Sequence, residues 1–306
     1  SFTRRGMLAS SVATTVGLAG CIGSEPSTDE TNVETVVSIS GERVPENMAF
    51  DADGNLYFGI TAGEVRRLSA DRTGETDLSI DDTEQVATLP GAVGVEVSPD
   101  GAIYVAVASQ DESAGVWMVP PDGAASQLAS ISGFPNDILF DSNRDRMLVT
   151  ESSGGVVYSI GTDGSRETWL DDGRLATESF GANGITRGSD GTIYIAVTRA
   201  GEMGRLIEVQ IGPSGNPVEA TTLVESEAIF GADGITAYNG DILVAANSQN
   251  RVVRVNSAAE TETIADGDDG LVFPSDVLVG PDSEELFICN FANESPEDGG
   301  ILRMRL

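Results

Sequence analysis

Apolar residues in this chain come in short runs bounded by turn clusters, and outside the N-terminal stretch none keeps helical periodicity for more than two turns. Six segments share one plan of strand, tight turn and second strand. They begin at Glu46 (ENMAFDADGNLYFGI), Val93, Asn136, Asn183 (NGITRGSDGTIYIAV), Asp233 and Ser275, so the plan recurs every 42 to 50 residues. Repeats of that length, built from short strands and Gly-containing turns, predict propeller blades of four strands. In the fourth unit the strands are expected at 183–187, 192–197, 205–211 and 218–224, with Gly191 supplying the positive φ of the first turn. The sixth unit reaches the C-terminus with only three strands, whereas 33–40 (VETVVSIS) reads as a strand without a unit. Pairing the two closes the ring and removes two open sheet edges. The expectation is an all-β, six-bladed β-propeller over 36–306, its last blade completed by the N-terminal strand.

Charge narrows the partners. The chain of 306 residues carries 49 Asp and Glu against 17 basic residues, a net −32, and every basic residue is Arg. Such a surface repels nucleic acid and anionic headgroups, so neither is an expected partner. It also repels itself, and molar salt relieves this by shortening the screening length to ~3 Å. Adaptation to high salt accounts for both the acidity and the missing Lys.

The first residues read as an address. Thr3-Arg4-Arg5-Gly6-Met7-Leu8 resembles a twin-arginine export signal, an apolar run too short to span a membrane follows, and Leu18-Ala19-Gly20-Cys21 resembles a lipobox. On that reading 1–21 is a lipoprotein signal, Cys21 carries the lipid that tethers a monomeric protein to the outer face of the membrane, and 22–35 is a disordered acidic stalk. Cys289, left without a partner in an apolar strand, is expected to be a buried, inert thiol. Asn293-Glu294-Ser295 fits a glycosylation acceptor, with Pro296 following it.

The chemistry is expected in the channel. The six units place Glu46, Val93, Asn136, Asn183, Asp233 and Ser275 at one level, where the inner strands begin. Four carry carboxylate or amide oxygens, and the chain has no His. An all-oxygen set suits Ca²⁺ or another hard divalent cation rather than zinc. The plainer reading, turn-forming Asn and Asp around a water-filled channel, stays open. Asp137 and Asp276, one residue further on, are candidate supporting groups or strand caps. Ser275 belongs to the same supporting set, and Glu151 is either pocket-facing or a solvated loop carboxylate.

The segment PENMAFDADGNLYFGITAGEVRRL resembles the first blade of the gluconolactonase/SMP-30 (regucalcin-like) and strictosidine-synthase-like propellers. FPNDILFD, GANGIT and GADGIT resemble later blades of the former and of the diisopropylfluorophosphatase and paraoxonase enzymes. The resemblance implies channel calcium held by Glu46, Asn136, Asn183 and Asp233, with Asn136 alternatively contacting substrate or water. It further implies hydrolysis of a lactone or related ester as substrate, with Asp233 as base or nucleophile. The paraoxonase histidine dyad has no counterpart. Two alternatives remain: a non-catalytic surface propeller binding a small ligand or a protein, and a metal-free strictosidine-synthase-like enzyme using a late-blade Glu, for which Glu284 and Glu285 are the nearest residues. Loops at 109–115, 199–204 and 290–299 are expected to set specificity.

Overall fold

Residues 33–41 and 43–306 are described by the computed structural model. The twin-arginine and lipobox motifs, Cys21 and most of the expected stalk lie outside the described residues. Six antiparallel sheets follow one another along the chain, each built outward from an inner strand. The inner strands are Pro45–Phe50, Val95–Val97, Pro135–Asp141, Ala182–Arg187, Ala232–Tyr238 and Pro274–Val279. We number the blades one to six in that order. Blade 4 shows how close the pattern came: its strands are Ala182–Arg187, Ile193–Ala200, Met203–Ile211 and Pro217–Ser226. The only helices among the described residues are three-residue 3₁₀ turns.

Closure occurs as expected. Val33–Ser38 lies antiparallel to Gly300–Arg305, with Val33 opposite Met304 and Ser38 opposite Gly300. The strand starts at Val33, so residues 33–35 belong to the propeller and not to the stalk. A further latch was not anticipated. The long connection inside blade 1 sends Leu78–Ser79 alongside Val37 and Ser38 as a fifth, parallel strand of blade 6. Arg303 secures that connection, donating to the Thr73 carbonyl at 2.9 Å and pairing with Glu34 at 3.0 Å.

Apolar side chains from adjacent blades interlock to form the core. At the seam between blades 6 and 1, Val36, Val37, Ile39, Phe58, Phe287 and Ile301 are fully or almost fully buried together, and Phe50 meets Phe287 edge-on at 5.2 Å. Each such side chain contributes about 1.5–3 kcal/mol of transfer free energy, so the seam that the closing strand Val33–Ser38 completes has an apolar core of its own. Cys289 is free and lies inside this cluster, where burial pushes its thiol well above the ordinary range.

Candidate active site in the propeller channel

Successive residues at the start of the inner strands form two layers. Glu46, Asn136, Asn183, Asp233 and Ser275 each occupy the second position of their strand, and Val93 lies just before its own. One residue on come Asn47, Gly94, Asp137, Gly184, Gly234 and Asp276. The second layer holds the ring together. Asp137 accepts from the Ile185 amide of blade 4 at 2.8 Å and from Asn47 Nδ2 of blade 1 at 3.2 Å. Asp276 accepts from the Met48 amide of blade 1 at 3.0 Å, and Asn47 Oδ1 from the Val95 amide of blade 2 at 2.8 Å. Where no side chain bridges, glycine lets the strands touch: a Cβ on Gly184 would strike the Asp233 carbonyl, and one on Gly234 would strike Asp276. Asp137 and Asp276 are therefore straps between blades, and each also accepts the next amide of its own strand, Ile138 at 2.8 Å and Val277. Ser275 is a strap as well, its hydroxyl donating to the Glu46 carbonyl at 2.7 Å.

In the first layer the oxygens are left over. The Asn136 amide donates to Ser152 Oγ at 3.0 Å, just past the end of the neighbouring strand of its blade, and the Asn183 amide to Thr198 Oγ1 at 2.9 Å on the neighbouring strand of its own. Both Oδ1 atoms accept no hydrogen bond from the described residues. Asp233 Oδ2 accepts from Asn247 Nδ2 at 2.7 Å. Glu46 Oε2 is buried without a partner. Burial, and then the charges of Asp233, Asp276 and Asp137, hold the Glu46 carboxyl well above its usual range. Burial raises Asp233 to about 7, against the lowering effect of Asn247 and Asn183. Burial raises Asp276 too, with Asp137 adding repulsion, and raises Asp137 to about 6 against the amides it accepts. Burial thus disfavours the charged form of four carboxyls gathered on the axis, a cost that a cation bound there would offset.

All four residues named as ligands line one cavity of about 320 Å³. Among the described residues no three His, Cys, Asp or Glu side chains converge on a metal position; this ring offers two carboxylates and two amides instead. Its orphaned Glu46 oxygen and its free amide oxygens fit a hard cation such as Ca²⁺.

Several expectations need correction. Glu151 is neither pocket-facing nor solvated: it is 4% exposed, and its carboxylate accepts the amides of Phe134, Ser153 and Gly154 at 2.7, 2.8 and 2.7 Å. It shapes the turn that carries Phe134 into the cavity. Glu284 and Glu285 sit at the hairpin turn closed by the Gly280 amide and the Glu285 carbonyl, at the far end of the strand from Ser275. The loop at 109–115 lines a separate depression between blades 2 and 3, while Arg199, Phe291 and Asn293 from the other two loops do reach the cavity. Four phenylalanines, Phe134, Phe180, Phe273 and Phe291, complete its wall, and sequence patterning did not single them out. Nor did it find Glu96, which lines the opposite channel mouth with Asp137 and Asp276 and which burial raises to about 7.

Residues 33–68 match the strictosidine synthase-like, N-terminal family. No curated protein matches the chain. Among solved structures, the calcium-binding protein regucalcin from Agrobacterium tumefaciens superposes with a TM-score of 0.62 at 18% identity, covering 88% of this chain and 94% of its own. The PQQ-bound aldose sugar dehydrogenase from Streptomyces coelicolor gives 0.63 at 15%, covering 89% and 97%. An auxiliary nutrient binding protein from Bacteroides thetaiotaomicron gives 0.68 at 10%, covering 89% and 75%. The architecture expected from the sequence, a six-bladed β-propeller, is borne out, and these likenesses show that fold.

Proposed function

We propose that this propeller is an exported, lipid-anchored hydrolase that opens a lactone or related ester in the channel cavity, with Ca²⁺ held by Glu46, Asn136, Asn183 and Asp233. The observation that carries the reading is the buried, unpartnered Glu46 Oε2 in one cavity with a second buried carboxylate and two amides whose nitrogens are already engaged. A bound Ca²⁺ would supply Lewis acidity toward a carbonyl oxygen and cancel the ring's negative charge.

The chain's own residues then divide the work. Asp233 is the proton acceptor, or the attacking carboxylate, on the cavity floor. Asn247 fixes one of its oxygens by the 2.7 Å hydrogen bond and so presents the other to the cavity. In the metal-free chain burial raises Asp233 to about 7, and a cation beside it would favour the ionised form that accepts a proton or attacks. Ser152 and Thr198 hold the amides of Asn136 and Asn183 with their oxygens free, and the phenylalanine wall keeps bulk water from the floor.

A lactone panel assayed at high salt with calcium titrated is the test. Calcium-dependent turnover supports the reading; neither turnover nor calcium binding overturns it. In that case a surface binding propeller takes its place, a use that the likeness to a nutrient binding protein favours. A redox role is the other alternative, favoured by the likeness to the PQQ-bound sugar dehydrogenase.

A further inference from the structure

The cavity's floor and walls differ in kind. The floor is polar, while two phenylalanine pairs dominate the wall, with Ser179, Arg199 and Asn293 beside them. Phe134 and Phe180 meet edge-on with centroids 5.1 Å apart, and Phe273 and Phe291 lie 5.8 Å apart. The first pair stands at the entry to blades 3 and 4 and the second at blade 6, opposite sides of a six-fold ring. Phe180 is 42% exposed and is the one exposed aromatic ring among the described residues. A ring left this open beside a polar floor contributes little to folding and is available to a ligand.

Backbone strain singles out the opposite pair. Phe273 has φ of 50°, a left-handed conformation that bulky side chains avoid. It is held there by two hydrogen bonds: its amide donates to Asn250 Oδ1 at 2.8 Å, and its carbonyl accepts from the Phe291 amide at 3.2 Å. Glycine would satisfy that backbone without strain. A phenylalanine maintained in such a position serves the cavity into which its ring projects.

We propose that the cavity takes a lactone or ester bearing an acyl chain or apolar ring, gripped between the two phenylalanine pairs with its carbonyl end on the Asn136–Asp233 floor. A polyhydroxylated sugar lactone fits poorly, because hydroxyls turned toward the four rings lose water and gain no partner. This substrate class rests on the hydrolase reading.

Three probes separate the possibilities: γ-decanolactone, γ-butyrolactone and glucono-δ-lactone, assayed at 2 M salt with excess calcium. The expected kcat/KM for γ-decanolactone exceeds that for γ-butyrolactone by about 100-fold, from the extra methylenes buried against the rings. Phe180→Ser and Phe273→Gly each reduce that preference about tenfold. Phe273→Gly relaxes the backbone while removing the ring, so a loss of preference there does not trace to misfolding. Equal rates for the two aliphatic lactones, or preference for the sugar lactone, overturn the proposal. Absence of any turnover overturns the hydrolase reading instead, and calorimetry with γ-decanolactone then decides for the cavity. Binding that weakens about tenfold in the two variants supports the apolar clamp, and no binding, or binding indifferent to both variants, overturns it.

Discussion

The first and second layers of the channel use the same chemistry to opposite ends. Glu46 and Asn47, Asn136 and Asp137, Asn183 and Gly184, Asp233 and Gly234 are neighbours in sequence, yet one member faces the axis and the next crosses to another blade. Every carboxylate of the second layer is committed: Asp137 accepts three hydrogen bonds and Asp276 takes the Met48 amide. In the first layer Glu46 keeps an orphaned oxygen and both asparagines keep a free one. Oxygens consumed by the backbone build the ring, and oxygens left without partners mark the site.

The contrast is broken most forcefully at Asp233. Asp233→Asn removes the carboxylate that accepts the proton, and hydrolysis falls about 10³-fold; a lactone assay under saturating calcium measures it. In the second layer the same kind of change strikes the fold instead. Asp137→Asn turns an amide N–H toward either the Ile185 amide or the donors from Asn47 and Ile138. Leaving such a buried group unsatisfied costs about 1–3 kcal/mol, read as a lower denaturant midpoint with little change in slope. Metal-free Asp233→Asn is expected to shift the midpoint the other way, because it deletes a buried charge that burial already disfavours. Equal destabilisation by both variants would erase the distinction between the layers.

A weaker effect is expected from pH. Asp233, Asp137 and Glu96 have pKa values raised to about 7, 6 and 7. From the ordinary carboxylate range up to about pH 7 the folded state therefore binds more protons than the unfolded chain, and metal-free stability falls as pH rises through that window. Melting in chelator at pH 5 and pH 8 checks the sign: the higher temperature is expected at pH 5, and calcium should narrow the gap by replacing the lost protons. Salt acts less locally. With a net charge of −32, the melting temperature should climb from 0.1 to 3 M salt, and a flat series would contradict salt adaptation.

The architecture was legible because each blade repeats a strand-turn-strand pattern and because 33–40 had no partner of its own. The level of the first layer was legible for the same reason: equivalent strand positions meet on the axis. What stayed hidden depends on distances between blades. Nothing local shows that Asp137 reaches Ile185, that Glu151 gathers three amides, or that Leu78–Ser79 joins blade 6. The phenylalanine wall was missed although Phe134, Phe180 and Phe273 recur two or three residues before the ring positions Asn136, Asn183 and Ser275; that they gather with Phe291 around one cavity depends on ring closure.

Calcium titration by calorimetry, on the wild type and on Glu46→Gln at neutral pH and high salt, tests most directly whether the orphaned oxygens form a cation site. One strong site in the wild type, weakened about tenfold or more by Glu46→Gln as a charged ligand is lost, is the predicted result. No calcium binding to the wild type, or binding unaltered by Glu46→Gln, would contradict it.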